Sequence, residues 1–189
     1  MSGASPFFAH PSALVESDDI GDGTRIWAFA HVCKGARVGR RCNIGEGVYL
    51  ESGVVVGDVV TIKNGVAIYE GVVIEDEAFL GPHAVFTNDA RPRSGKYKRT
   101  RESFLPTRIE HGASIGANAT VICGHSVGRW AMVAAGAVVA DDVPAHAMVV
   151  GVPARPAGFA CECGEPLDGS LRCRCGLVYV ADGPGLRRS

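Results

Sequence analysis

Three polar residues, Glu70, Asn88 and Asp89, are the first candidates for chemistry in this chain. Glu70 and Asn88 stand eighteen positions apart, and Asp89 follows at once. A carboxylate, an amide and a second carboxylate held together could orient an amine and accept its proton, whereas dispersed they would be ordinary solvated side chains. Among the six histidines, His125 is the most informative. It falls four residues after Val121, where equivalent positions carry Ala, Val or Thr, so it is either an inward histidine satisfied by backbone or a base. His83, three after Leu80, should point outward near Asn88 and could hydrogen-bond a substrate; His10, His31, His111 and His146 offer less. Two Cys-x-Cys-Gly units, Cys161/Cys163 and Cys173/Cys175, flank a PLDGS turn and suggest a small zinc ribbon. Such a zinc would be structural, because four thiolates leave no open position for water. The single spacer departs from the usual two, so unmetallated thiols stay an open reading, with disulfides behind both.

A repeat must position these groups. Every sixth residue from Leu14 to Phe86 is large and apolar: Leu14, Ile20, Ile26, Val32, Val38, Ile44, Leu50, Val56, Ile62, Ile68, Ile74, Leu80 and Phe86. Chance would produce such a run less than about once in a million, so the period is structural. It resumes at Ile109, Ile115, Val121, Val127, Val133 and Val139. Six fits neither the 3.6-residue period of a helix nor a lone strand, but each hexad can be one short strand plus a turn, its apolar residue always facing the same way. The fourth residue after each anchor is mostly small or β-branched, as at Ala30, Val48, Val66 and Ala90, so every hexad turns two positions inward. Glycine often follows the anchor, as at Gly21, Gly39, Gly57, Gly81, Gly116 and Gly128, which suits a tight turn or a close backbone approach. Repeats of this kind build parallel β-helices, in which stacking closes a core that no single coil could bury.

The beat fails once. Phe86 and Ile109 are twenty-three residues apart, not a multiple of six, so the chain must leave the coil between them and return. The excursion carries six basic residues from Arg91 to Arg101, with no acid among them. As a bland surface loop it needs no function; kept inside so regular a solenoid, its charge suits phosphate groups of a nucleotide or of coenzyme A.

Composition bounds the rest. At 189 residues and 47% hydrophobic content the chain can form one sizeable core with a small appendage. A net charge of −1 gives no footprint for nucleic acid, and no apolar run is long enough to span a membrane. The start MSGASPFFAH lacks the features of a secretory leader, so a cytoplasmic, soluble protein is expected. Seven cysteines, an odd number, argue against a disulfide framework, and Cys33, Cys42 and Cys123 read as buried free thiols within the repeat.

From about Leu14 to Arg155 the chain resembles the bacterial hexapeptide acyltransferase superfamily. The resemblance implies an all-β, left-handed parallel β-helix of triangular section, eighteen residues to the coil, assembled as a homotrimer. General topology rules alone would favour a right-handed crossover. The expected division is a β-helix over residues 1–156 with an inserted loop at about 90–107, a cysteine-rich appendage over 157–180, and a disordered tail over 181–189. Eighteen residues per coil would stack Asn88 on Glu70.

NGVAIYEGVVIEDEAFLGPHAVFTNDARPRS, IGANATVICGHSVG and VVGVPARP are similar to the branch that N-acylates amino sugars carried on nucleotide diphosphates. Nearest in appearance are UDP-2-acetamido-3-amino-2,3-dideoxyglucuronate N-acetyltransferases of surface polysaccharide synthesis, with dTDP-3-amino-3,6-dideoxyhexose N-acyltransferases next. By that resemblance Glu70, Asn88 and Asp89 belong to the sugar site, with His125 a further catalytic candidate and His83, Tyr69, Lys63 and Asn64 candidates for substrate binding. Acetyl-CoA would lie between subunits along Ala117 and Ala135, with Arg155 near its phosphates. A zinc carbonic anhydrase on the same scaffold would need two histidines a few residues apart, and no such pair occurs. A non-catalytic scaffold would explain the repeat but not the basic loop.

Overall fold

The computed structural model describes residues 7–97 and 101–189. Lys98 and Arg99 of the basic stretch lie outside the described residues, as do residues 1–6 at the start. The hexads form strands of mostly two residues that stack in parallel into three faces, about eight turns of a β-solenoid. The first face carries Phe8–Ala9, Arg25–Ile26, Asn43–Ile44, Thr61–Ile62, Phe79–Leu80, Ser114–Ile115, Met132–Val133 and Ala147–Val150. The second runs from Leu14–Val15 through His31–Val32, Tyr49–Leu50, Ala67–Ile68, Val85–Phe86 and Thr120–Val121 to Val138–Val139. The third holds Arg37–Val38, Val55–Val56, Val72–Ile74, Thr107–Ile109 and Ser126–Val127.

Away from the first coil, the loop and the last coil, the offset between paired strands is eighteen residues, as in Tyr49 with Ala67 and Phe79 with Thr61. Backbone bonds run from coil to coil, for example from the Tyr49 N–H to the Val66 carbonyl at 2.9 Å. Anchors from Ile26 to Val139 are buried, and full burial of such a side chain stabilises by about 1.5–3 kcal/mol. Leu14, read as the first anchor, is 53% exposed because the first coil is one residue short: Leu14 pairs with the outward His31, and Val15 takes the inward place beside Val32. Thr24, a polar residue at an inward position, is satisfied by donating to the Gly39 carbonyl at 2.7 Å. Glycines after the anchors answer to crowding between coils. A methyl on Gly81 would lie 2.6 Å from the Ala117 nitrogen, and one on Gly128 2.6 Å from that of Ala145.

The excursion sits at the corner between the second and third faces. Val72 pairs with Thr107 and not with Ala90, seventeen residues earlier, so Thr107 takes the buried place expected for Ala90, which is exposed. The loop leaves after Asn88 and is pinched where Asp89 bridges Phe104, and its described residues include two short 3₁₀ turns, Gly95–Tyr97 and Arg101–Ser103. Leu105 then donates its N–H to the Asn88 carbonyl at 3.0 Å and the coil resumes.

At the far end Arg155–Phe159 pairs antiparallel with Ala147–Val150 and leads into the cysteine-rich module. The last residues correct the expectation of a disordered tail. Tyr179–Asp182 and Gly185–Arg188 form an antiparallel hairpin, held against the solenoid because Leu186 donates its N–H to the Ala145 carbonyl at 3.1 Å. Its Asp182–Gly185 turn has Gly183 at φ 57°, a conformation glycine adopts without strain.

Candidate active site

The corner between the second and third faces gathers the polar residues with which the sequence reading began. Ala67 pairs with Val85, and that eighteen-residue offset continues the chain to Glu70 on one coil and Asn88 on the next. Both are half-buried, as is Asp89. The Glu70 N–H donates to a Glu51 carboxylate oxygen at 2.8 Å, and its own carboxylate meets the Arg101 guanidinium at 3.2 Å. Asp89 accepts the Arg91 N–H at 2.9 Å, which turns the chain out into the loop. Arg101 and Arg91 are thus the two ends of the basic loop folded back onto the acidic corner. Arg93 and Lys96 stay exposed, with the Lys96 ammonium 5.0 Å from the centre of the Tyr97 ring.

His125 departs from its expected inward placement. Its side chain is 29% exposed and its Nδ1 lies 3.6 Å from an Asp142 carboxylate oxygen. The bulky ring turns out of a coil whose inward slots otherwise hold small or branched residues, and Cys123 two residues earlier is buried in the same turn. Thr107 and Ser103, next to the returning loop in sequence, are buried with hydroxyls that find no partner among the described residues.

The remaining candidates lie elsewhere. His83, Lys63, Asn64, Ala117 and Ala135 occupy turns between the first and second faces, one corner away from Glu70 and Asn88. Lys63 and Asn64 line an open cleft of about 440 Å³ with His10, Trp27, Asn43 and Glu46, in which the Trp27 indole donates to the Asn43 side chain at 2.8 Å. His83 points outward as expected but stands at φ 57°, over Gly65, and the strand Val85–Phe86 separates it from Asn88. Ala117 and Ala135 stack one coil apart, where the Gly136 N–H bonds the Ala117 carbonyl at 2.8 Å. Arg155 lies beyond the last hexad, 3.3 Å from an Asp141 carboxylate oxygen.

Tyr69 adjoins a feature that residue reading passed over. On the second face the His31 and Tyr49 rings stand 5.5 Å apart and Tyr49 and Tyr69 6.1 Å apart, while the His31 ring meets Glu16 at 2.9 Å. The Cys33 thiol, hydrogen-bonded to the Tyr49 hydroxyl, leads the causes that push that phenol up to about 12. The signal was present: His31 and Tyr49 are eighteen apart. No comparable spacing joins Trp27 to Asn43.

The four C-terminal thiols converge, with all sulfurs within 4.8 Å of one another, 3.6 Å from Cys161 to Cys175 and 3.5 Å from Cys163 to Cys173. All seven cysteines are free thiols; Cys42 and Cys123 are buried as expected, whereas Cys33 is only half-buried, because it follows the anchor Val32 and faces outward.

The repeat is matched by two family profiles, described as "Bacterial transferase hexapeptide (six repeats)" over residues 19–52 and "Hexapeptide repeat of succinyl-transferase" over residues 106–140. Along nearly its whole length the chain is 46% identical to a dTDP-3-amino-3,6-dideoxy-alpha-D-galactopyranose 3-N-acetyltransferase of Aneurinibacillus thermoaerophilus, over 186 residues, 96% of this chain and 95% of the relative. The chain belongs to the hexapeptide-repeat acyltransferases. Within that family it is an N-acetyltransferase, and its solenoid is the left-handed β-helix of hexapeptide repeats.

Solved structures share the fold, these two among them. The acetyltransferase domain of PglB from Neisseria gonorrhoeae FA1090 superposes with a TM-score of 0.55 at 24% identity, over 80% of this chain and 58% of that one. A hexapeptide-repeat acetyltransferase of Vibrio cholerae O1 biovar eltor, solved with acetyl coenzyme A, gives 0.55 at 26% identity, over 66% of this chain and 70% of that one. Among the described residues no helix is long and apolar enough to cross a membrane.

Proposed function

We propose that this enzyme transfers the acetyl group of acetyl-CoA to the 3-amino group of a dTDP-linked 3-amino-3,6-dideoxyhexose, for surface polysaccharide synthesis in the cytoplasm. The carrying observation is the 46% identity, spanning 96% of this chain, to an enzyme named for that acceptor. It favours the dTDP-dideoxyhexose over the UDP-linked glucuronate that motif appearance put first. Charge supports the same choice, because a 6-deoxyhexose brings no carboxylate to a corner that already holds Glu51, Glu70 and Asp89.

The chemistry asks little of the side chains. A sugar amine that has lost its ammonium proton is already nucleophilic and attacks the thioester carbon directly. The tetrahedral intermediate then expels the coenzyme A thiolate, and the proton surrendered by the nitrogen passes to a weak acceptor. Asn88 would orient the amine and Asp89 accept the proton, with Glu70 held in place by Arg101 and the Glu51 contact. Backbone N–H groups would stabilise the oxyanion, and alignment of amine with thioester would supply most of the rate. His125, beside Asp142, is a second candidate for the base.

Two corners of the solenoid, over successive coils, carry the candidate residues, Glu70, Asn88, Asp89 and Tyr69 at one and Lys63, Asn64, His83, Ala117 and Ala135 at the other. A homotrimer in which one chain's corner meets the neighbour's second face would unite them, with the pantetheine arm along Ala117 and Ala135 and its phosphates near the basic loop and Arg155.

Following free thiol release from acetyl-CoA with a panel of dTDP- and UDP-linked 3-amino and 4-amino sugars tests the reading. The dTDP-3-amino-3,6-dideoxyhexose should turn over fastest, and a preference for the UDP-linked 3-amino uronate would overturn the acceptor. Absence of any thermal stabilisation by acetyl-CoA or coenzyme A would instead favour a non-catalytic scaffold.

A further inference from the structure

The cysteine-rich module is too small to hold itself together by packing. Its buried cluster consists of Cys161, Cys173, Tyr179 and Leu186, flanked by a few half-buried apolar side chains. Fewer than about 40 residues seldom fold on a core of that size without a disulfide or a metal. Two near-identical turns present the thiols. Gly164 donates its N–H to the Cys161 carbonyl and Gly176 to that of Cys173, both at 2.9 Å, with φ of 87° and 95° at the two glycines. Each turn is closed by a second bond, from Cys161 N–H to Glu165 and from Cys173 N–H to Leu177.

The sulfur geometry discriminates among the ways of using four thiols. A disulfide needs sulfurs about 2.05 Å apart, and the close pairs here stand at 3.6 and 3.5 Å. Four sulfurs at a zinc–sulfur distance of about 2.3 Å define a tetrahedron whose edge is about 3.8 Å. The close pairs fall near that edge and every remaining pair is within 4.8 Å. A tetrahedral all-thiolate set selects zinc or iron, and of the two divalent ions zinc binds the more tightly.

The module also touches the end of the solenoid through the same residues. The Tyr179 hydroxyl lies 3.1 Å from the Cys161 sulfur and accepts the Glu162 N–H at 3.0 Å. Its ring packs 4.8 Å from that of buried His146, whose Nδ1 is 3.0 Å from the Ala160 carbonyl. The hairpin strand Gly185–Arg188 meets the coil at Ala145, close enough that a methyl on Gly185 would lie 2.7 Å from the Ala145 carbonyl oxygen. The terminal turn of a solenoid has no next coil to cover it and needs a cap.

We propose that Cys161, Cys163, Cys173 and Cys175 bind one structural zinc ion, which folds the C-terminal module into a cap on the last turn of the β-helix. All four ligands come from the chain, so the ion has no open position and takes no part in acyl transfer.

Metal analysis of the full-length protein, purified without chelator, should find one zinc per chain, lost in Cys163→Ser/Cys175→Ser. Stripping the native chain should lower its first melting transition by about 5 °C or more, with recovery on adding zinc but not magnesium. If the double variant does not fold, cobalt loaded into the stripped native chain supplies the readout, as tetrahedral thiolate absorption bands. Zinc below a tenth of an ion per chain, stoichiometric iron, or an intact mass lower by four hydrogens, the mark of two disulfides, would each overturn the site. Verified zinc loss without a change in melting would overturn the capping role.

Discussion

Gly81→Ala is the sharpest test of the coil packing next to the proposed cosubstrate groove. The added methyl would lie 2.6 Å from the Ala117 nitrogen, 2.8 Å from the Gly116 carbonyl carbon and 2.9 Å from the Ile115 carbonyl oxygen, whereas ordinary contact begins at 3.4 Å. All three are backbone atoms, so the coils must part by about 0.8 Å, the difference between contact and crowding. That displacement stretches the bond from Gly81 N–H to the Ile115 carbonyl, now 2.7 Å, and the one from Asn118 N–H to the Pro82 carbonyl, now 3.0 Å. Overpacking costs about 1–3 kcal/mol, and weakening two hydrogen bonds adds roughly 1 kcal/mol. The sum, about 2–4 kcal/mol, should lower the melting temperature by roughly 5–15 °C in a chain of this length. Gly136→Ala is the control: its methyl meets nothing within 4 Å, and only the φ of 69° resists it. That strain costs about 1 kcal/mol and a few degrees. Melting of both variants, with the KM for acetyl-CoA, reads the effect. A Gly81→Ala protein melting within about 2 °C of the parent, or above Gly136→Ala, would refute the claim that glycine follows the anchors because the coils approach too closely for a side chain.

Asn88→Ala should keep the parent's melting temperature within about 2 °C, since the half-buried side chain belongs to no core cluster, while turnover falls at least about tenfold. Arg101→Ala breaks an ion pair whose partners are 79% and 34% exposed, so it should change stability by less than about 1 kcal/mol, but raise the acceptor KM by freeing Glu70. Burial holds buried His146 below its ordinary pKa, against the Ala160 carbonyl and Glu162 and with the help of Arg129. The folded state therefore binds this proton less readily than the unfolded chain does. Its contribution to stability is complete above the unfolded value of about 6.5 and shrinks as pH falls through it. Melting should accordingly drop between about pH 7 and 5 more steeply in the parent than in His146→Gln.

Much of this protein was legible from residue order because its core is one-dimensional. Each coil packs only on its neighbours, so the anchors from Ile20 to Val139 specify the inward side, and an eighteen-residue offset gives strand partners such as Tyr49 and Ala67. The break between Phe86 and Ile109 located the loop, and the spacing of Glu70 and Asn88 placed them on successive coils. Five residues of separation made His83 look near Asn88, but His83 follows the anchor Leu80 and Asn88 the anchor Phe86, so the strand Val85–Phe86 parts them at successive corners. Counting could not foresee that His125 would turn outward, since a slot's place in the count does not state whether a ring fits it.

Sequence by itself determined the repeat, its interruption and the pairing of cysteines into two short turns, because these depend on spacing along one chain. Tertiary structure decided what long-range contact controls: Thr107 in the place of Ala90, Arg101 against Glu70, four sulfurs within 4.8 Å, and a tail drawn into a hairpin by Ala145. Those outcomes turn on distances between segments far apart in the chain, which no period records.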